Sequence, residues 1–223
     1  MSANGTNGNG HHPRRWHFGR TKRQELGTAN MAPYRRLALQ LHYEVRRADK
    51  GRSVLLVTPG ASSACARASL MLAAAFAEQL AKPVLLVDAS PTSPEATRLV
   101  GATGAGLSEF LTDAGSSLCD FVVPTTTANV HFLPAGQAQP FLHERIDALL
   151  TQAAAHYDVT LLAGGSVLSD ALSLALSPSA ECVLLVVNEN ETRVEDLDAA
   201  QSTLGYCKAR NVGLLLTTPR LPG

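Results

Sequence analysis

Ser62, Ser63 and Arg67 stand in the segment Thr58-Pro59-Gly60-Ala61-Ser62-Ser63-Ala64-Cys65-Ala66-Arg67, between a short apolar run and an alanine-rich one. Hydroxyls, small residues and the start of a helix together offer an anion hydrogen-bond donors and a positive end. A loop built to wrap phosphates reads G-x-x-x-x-G-K-[ST]. Its glycines let the backbone amides close in, its lysine bridges the terminal phosphates, and its hydroxyl holds magnesium. Here no lysine and no glycine stand just before the helix, and Arg67 is the only cation, a residue or two inside it. Either Arg67 replaces the lysine, or the turn survives without catalysis. Asp88 closes a second apolar run, Val84-Leu85-Leu86-Val87. A carboxylate there can orient water or magnesium, cap the next turn, or pair with Arg67. A further run, Val159-Thr160-Leu161-Leu162, stops at Ala163-Gly164-Gly165-Ser166. Magnesium-dependent phosphoryl transfer calls for Asp where Ala163 stands, and a methyl group cannot do that work. Asp170 is expected to cap the helix that follows it.

These residues need a frame, and the apolar pattern supplies one. Tyr34, Leu37, Leu41 and Val45 recur at spacings of three and four, which predicts a one-faced helix ended by Gly51-Arg52. Short continuous apolar runs predict strands buried on both faces at residues 54–57, 84–87, 130–133, 159–162, 183–187 and 212–216. Helical patterns lie between them at residues 68–80, 107–111, 142–155, 170–176 and 194–209. The alternation predicts an α/β fold, a doubly wound and mainly parallel sheet flanked by helices. Ligands in such folds bind beyond the carboxyl ends of the strands, where the residues named above fall.

Composition limits the remaining options. The chain has 223 residues, enough for one such domain. Residues 1–50 carry ten Lys or Arg against three Asp or Glu, and residues 51–223 carry nine against sixteen, so a basic front joins an acidic body. Residues 1–30 are expected to be a disordered basic tail, because they lack a hydrophobic period; residues 31–223 form the domain. No secretory leader or membrane-length apolar run is seen, so a soluble cytoplasmic protein is expected. The stretch Arg14–Arg23, with Trp16 and Phe18 among its cations, is either a solvated tail or a tether to an anionic membrane or acidic partner. Nucleic acid has no motif behind it. Cys65, Cys119, Cys182 and Cys207 fit no zinc or disulfide spacing, and no metal site is expected.

The order of several segments resembles the bacterial tyrosine kinase (BY-kinase) domain of capsule and exopolysaccharide systems, a branch of the MinD/ParA-like P-loop ATPases. The likeness covers about residues 32–220. It rests on Pro83-Val84-Leu85-Leu86-Val87-Asp88-Ala89 with Pro94, on Gly106-Leu107-Ser108-Glu109-Phe110-Leu111, and on Val130-His131-Phe132-Leu133-Pro134-Ala135-Gly136. Tyr157-Asp158, Ser169-Asp170-Ala171-Leu172, Leu184–Val187 and Tyr34-Arg35-Arg36-Leu37 also fit. Against the family pattern, the Walker A lysine and hydroxyl fall near Cys65 to Arg67, the second Asp after the second strand becomes Ser90, and the Walker B Asp becomes Ala163. The oligomerisation helix expects E-x-x-R-x-x-R but carries Ala32, Arg35 and Ala38. The base-reading Asn gives way to about Thr217. The tyrosines are Tyr34, Tyr43, Tyr157 and Tyr206, with no C-terminal cluster.

The resemblance therefore implies a non-catalytic BY-kinase-like protein of exopolysaccharide or capsule biosynthesis or export. Its partner would be a polysaccharide co-polymerase or a kinase at the inner membrane, with peripheral attachment there and self-association into a homo-oligomer. No cofactor is expected. Ser62, Ser63, Arg67 and Asp88 mark the residual nucleotide site. The alternatives are a divergent kinase or ATPase using ATP and magnesium through Arg67 and Asp88, and a MinD/ParA-like regulatory adaptor at the membrane.

Overall fold

A computed structural model describes residues 31–45 and 51–217; the expected tail and its Arg14–Arg23 contact lie outside them. Seven strands form one sheet in the order β3-β4-β2-β5-β1-β6-β7. The strands are β1 (Arg52–Thr58), β2 (Val84–Asp88), β3 (Val123–Pro124), β4 (Val130–Leu133), β5 (Val159–Ser166), β6 (Cys182–Asn188) and β7 (Val212–Thr217). All neighbours are parallel except β3 and β4. The six expected strands are present. The seventh, β3, is a two-residue antiparallel edge too short to leave a pattern.

The apolar runs of β1, β2, β5 and β6 are buried because helices cover both faces of the sheet there, whereas β7, expected to be buried on both faces, is an edge strand with Val212, Leu214 and Leu216 exposed. On one side lie α1 (Ala32–Glu44), α2 (Ala64–Leu80) and α3 (Glu95–Val100). On the other lie α4 (Leu107–Thr112), α5 (Glu144–His156), α6 (Ala171–Leu176) and α7 (Val194–Tyr206). Val54 and Leu56 turn to the first layer and Leu55 and Val57 to the second, all at 0% exposure. The alanines of α2 let that helix lie close against the sheet; Ala68, Ala73, Ala75 and Ala77 are all buried.

Polar anchors fix the frame. Arg52 is buried at the start of β1, which therefore begins before its apolar run. Its guanidinium donates to Asp158 (3.1 Å), Val45 O and His42 O, tying the end of α1 to β1 and β5. Arg35 on α1 makes two 3.0 Å bonds to Glu78 on α2, within the same chain. Ala38, where the oligomerisation pattern has arginine, is buried against this packing.

After β1 the chain crosses to β2 on one side and later to β6 on the other. The switch point of the sheet thus lies at the carboxyl end of β1, beside that of β5.

Candidate functional site

A cavity of about 270 Å³ opens at that switch point. Its wall comes from the β1–α2 loop, the end of β2 with the turn into α3, and the end of β5 with the start of α6. The sequence reading placed Ser62, Ser63 and Asp88 in one site, and all three line this cavity.

Arg67 does not. Helix α2 starts at Ala64, earlier than its apolar pattern suggested, so Arg67 is its fourth residue. Cys65 and Ala66 face the cavity, and the roughly 100° step per residue carries Arg67 past it to an exposed position. Its charge acts instead on Tyr34 of α1, whose hydroxyl is pushed up by burial and pulled down by Arg67. Among the described residues no Lys or Arg lines the cavity, whereas Asp88, Glu95 and Asp170 do.

The β1–α2 loop is held by internal bonds. Thr58 O accepts from Val167 N (2.9 Å), and Pro59 O accepts from the Ser166 hydroxyl (2.8 Å). The Ser62 hydroxyl accepts from Ala64 N (3.2 Å) at the helix start and donates to Glu191 Oε2 (2.9 Å). Cys65 turns inward and donates its thiol proton to Leu56 O (3.0 Å). Burial pushes that thiol up to about 12, with Asp88 adding to the rise, so it stays a neutral thiol at ordinary pH.

Asp88 is 1% exposed. One oxygen accepts from Ser90 N (3.2 Å) and the other from Thr97 N and Thr97 Oγ1 (both 2.7 Å). Of the roles open in the sequence, capping the following turn is the one the bonds describe, and no bond joins it to Arg67. Thr97 also accepts from Ala135 N (3.0 Å), linking this turn to the loop after β4. Burial raises the Asp88 carboxyl above the ordinary carboxylate range, and the Thr97 and Ser90 bonds only partly offset it. Helix α3, which carries Thr97, is not apparent in the sequence; six residues are too few for a periodic signal.

At the end of β5, Ala163 presents a methyl to the cavity. Gly164 and Gly165 keep the strand going because there is no room for side chains. A Cβ on Gly164 would lie 2.7 Å from Ser173 Oγ and 3.0 Å from Leu56 O. Gly165 N donates to Ser173 Oγ (2.8 Å), and that hydroxyl donates to Asp170 Oδ2 (2.6 Å). Asp170 caps α6 through Leu172 N, as expected.

The segment Gly106–Leu111 has a structural task that the sequence did not disclose. Glu109 on α4 accepts from Gly106 N (2.7 Å) and from Gln137 N (3.0 Å), clamping α4 to the loop after β4. A Cβ on Gly106 would run into Pro134 O, and one on Gly136 into the Glu109 carboxylate.

The cavity does not fit magnesium triphosphate. Among the described residues it offers the phosphates no cation, and Asp88, Glu95 and Asp170 would repel them.

The strand order, with its cavity at the switch point, is that of the MinD/ParA-type P-loop NTPase fold. Bacterial tyrosine kinase domains are among the solved structures of this fold that the chain resembles. The kinase domain of Escherichia coli tyrosine kinase ETK shares 21% identity at TM-score 0.75, covering 86% of this chain and 78% of that one. The BceF tyrosine kinase domain shares 23% at 0.66, covering 83% and 76%. The MinD cell division protein of Aquifex aeolicus shares 17% at 0.61, covering 76% and 70%. At these identities the likeness is one of fold. No family model and no curated protein matches the chain.

Proposed function

We propose that this chain is a non-catalytic BY-kinase-like protein of exopolysaccharide or capsule biosynthesis or export. In this reading it regulates a membrane co-polymerase or an intact kinase partner, in the cytoplasm and at the face of the inner membrane. The observation that carries the reading is a kinase-type scaffold with both core layers in place around a cavity that, among the described residues, is lined by three carboxylates and no cation. Losing one electrostatic group from such a site typically costs about 10²–10³ in rate. Here both the lysine and the metal carboxylate are replaced, by Cys65 or its neighbours and by Ala163.

A scaffold kept in this state acts through its surface. Among the described residues no helix is long and apolar enough to cross a membrane, so the reading places membrane contact at Arg14–Arg23 or at a partner. Flotation on anionic vesicles with and without residues 1–30 separates those two routes. The Arg35–Glu78 pair within one chain engages the residue that the family motif would present to a neighbour, so self-association in this reading uses another surface.

The test is a pull-down against the cytosolic ends of export proteins, with polymer output measured in a deletion strain. Altered chain length or yield, restored by the wild-type gene and by its Asp88→Asn variant, is expected. Normal polysaccharide in the deletion strain contradicts the proposal.

A further inference from the structure

The two edges of the sheet are built differently. On one side β3 closes it with two residues, one of them Pro124, in antiparallel pairing. Such an edge offers little to a further strand. On the other side β7 runs Val-Gly-Leu-Leu-Leu-Thr without a charge or a proline, and among the described residues no strand lies beyond it. Asn211 O and Thr217 O accept from Val183 N and Glu189 N, which are on β6 and at its end. Backbone groups alternate in direction along a strand, so Val212, Leu214 and Leu216 turn their amides and carbonyls outward. The same three residues stand in register with Val183, Leu185 and Val187 and share their face of the sheet, the α7 side. Helix α7 does not cover them: they are 44%, 57% and 61% exposed. Leu215, on the opposite face, packs against the other core layer.

An open edge beside a bare apolar row is a template for another strand. Charge says which strand fits. Exposed acids gather at the carboxyl end of β7, where Glu189, Glu191 and Glu195 surround Arg193. At its amino end stand exposed Lys208 and Arg210, the latter 3.6 Å from Glu181. A second copy, turned about a two-fold axis at Leu214, meets every one of these features. Leu214 faces the partner's Leu214 and Val212 faces the partner's Leu216, apolar against apolar. Each such pair exchanges two backbone hydrogen bonds, because these are the residues whose groups point outward. The antiparallel turn also sets the acidic end of each β7 beside the basic end of the other. We propose that the chain forms a two-fold dimer through antiparallel pairing of β7 with β7 of a second copy, so that one sheet runs through both. The blunted β3 edge then stops association at two. The pairing uses neither the cavity nor the polysaccharide reading, and it supplies a surface for self-association apart from the Arg35–Glu78 pair.

The experiment is analytical ultracentrifugation of the full chain from about 1 to about 100 µM. Wild type should pass from monomer to dimer with a dissociation constant on the order of 10 µM, as suits a small interface. Leu214→Lys and Leu214→Glu should each stay monomeric, because each sets like charges opposite one another at the axis. Their equimolar mixture should dimerise again. Leu214→Pro removes an outward amide at an edge that tolerates proline, and should weaken the dimer about tenfold. Circular dichroism of dilute samples should show all three variants folded like wild type. A wild type that stays monomeric at about 100 µM overturns the proposal, whether residues 1–30 or another protein then covers the row. So does a dimer that the three substitutions leave unchanged, a mixture that stays monomeric, or assembly that grows past two.

Discussion

Glu109 and Asp88 are both acids that accept backbone amides, and they respond to folding in opposite ways. Burial pushes the Glu109 carboxyl up, but the amides of Gln137 and Gly106 outweigh that and hold it below the usual range. Asp88 has three good donors as well, yet burial wins and its carboxyl sits above the usual range. The difference lies in setting. Glu109 is half-exposed in a closed structural clamp, whereas Asp88 is sealed into a cavity wall with a further acid, Glu95, adding to the rise. One region spends its polar groups on holding the fold. The other keeps a carboxylate that no cation faces among the described residues.

That contrast makes the scaffold costly to change and the cavity tolerant. The largest effect is expected at the Arg52–Asp158 pair, whose side chains are 9% and 8% exposed. Arg52→Ala should remove about 3 kcal/mol, because it takes a cation from the buried Asp158, which retains Lys82 at 3.3 Å, and the donor from Val45 O and His42 O; urea denaturation reads the loss. Gly106→Ala comes next, at roughly 1–3 kcal/mol or more, because its new methyl meets backbone that cannot move aside. A change below 0.5 kcal/mol there would mean that α4 is free to shift and is not clamped.

The pH dependence sharpens the same comparison. A folded-state pKa raised above the unfolded value, as at Asp88, means the folded chain binds more protons. Stability from this group is present below the unfolded pKa and is lost as pH rises through the folded one. Glu109 has the opposite sign. Its stability is present above the unfolded pKa and is lost as pH falls through the lowered folded one. Asp88→Asn should therefore flatten a decline in stability on raising the pH from about 4, and Glu109→Gln should flatten a decline on acidification. Denaturation curves across that range, taken for wild type and both variants, check the signs. The smallest effect is expected at Ser62→Ala, about 1 kcal/mol from the lost bond to Ala64 N.

The sequence announced most of the frame, for a physical reason. Strands buried on both faces leave continuous apolar runs; all six runs became strands, although the one at residues 212–216 is an exposed edge. It could not announce β3 or α3, which are too short to carry a period, nor the β1–β5 and β1–β6 neighbours, which depend on contacts far apart in the chain. Arg52 entered β1 unannounced because a buried arginine is legible only once Asp158 is beside it. Ser62, Ser63 and Asp88 line one cavity because all three stand at strand ends. Arg67 was misplaced because the helix starts four residues before its apolar pattern does, and a shift of one residue turns a side chain by about 100°.

The central claim is that the scaffold holds a site without nucleotide chemistry. Calorimetry of the full chain with ATP and magnesium tests it most directly. No saturable heat at millimolar nucleotide is the expected result. Binding in the micromolar range, abolished by Asp88→Asn or Arg67→Ala, would contradict it.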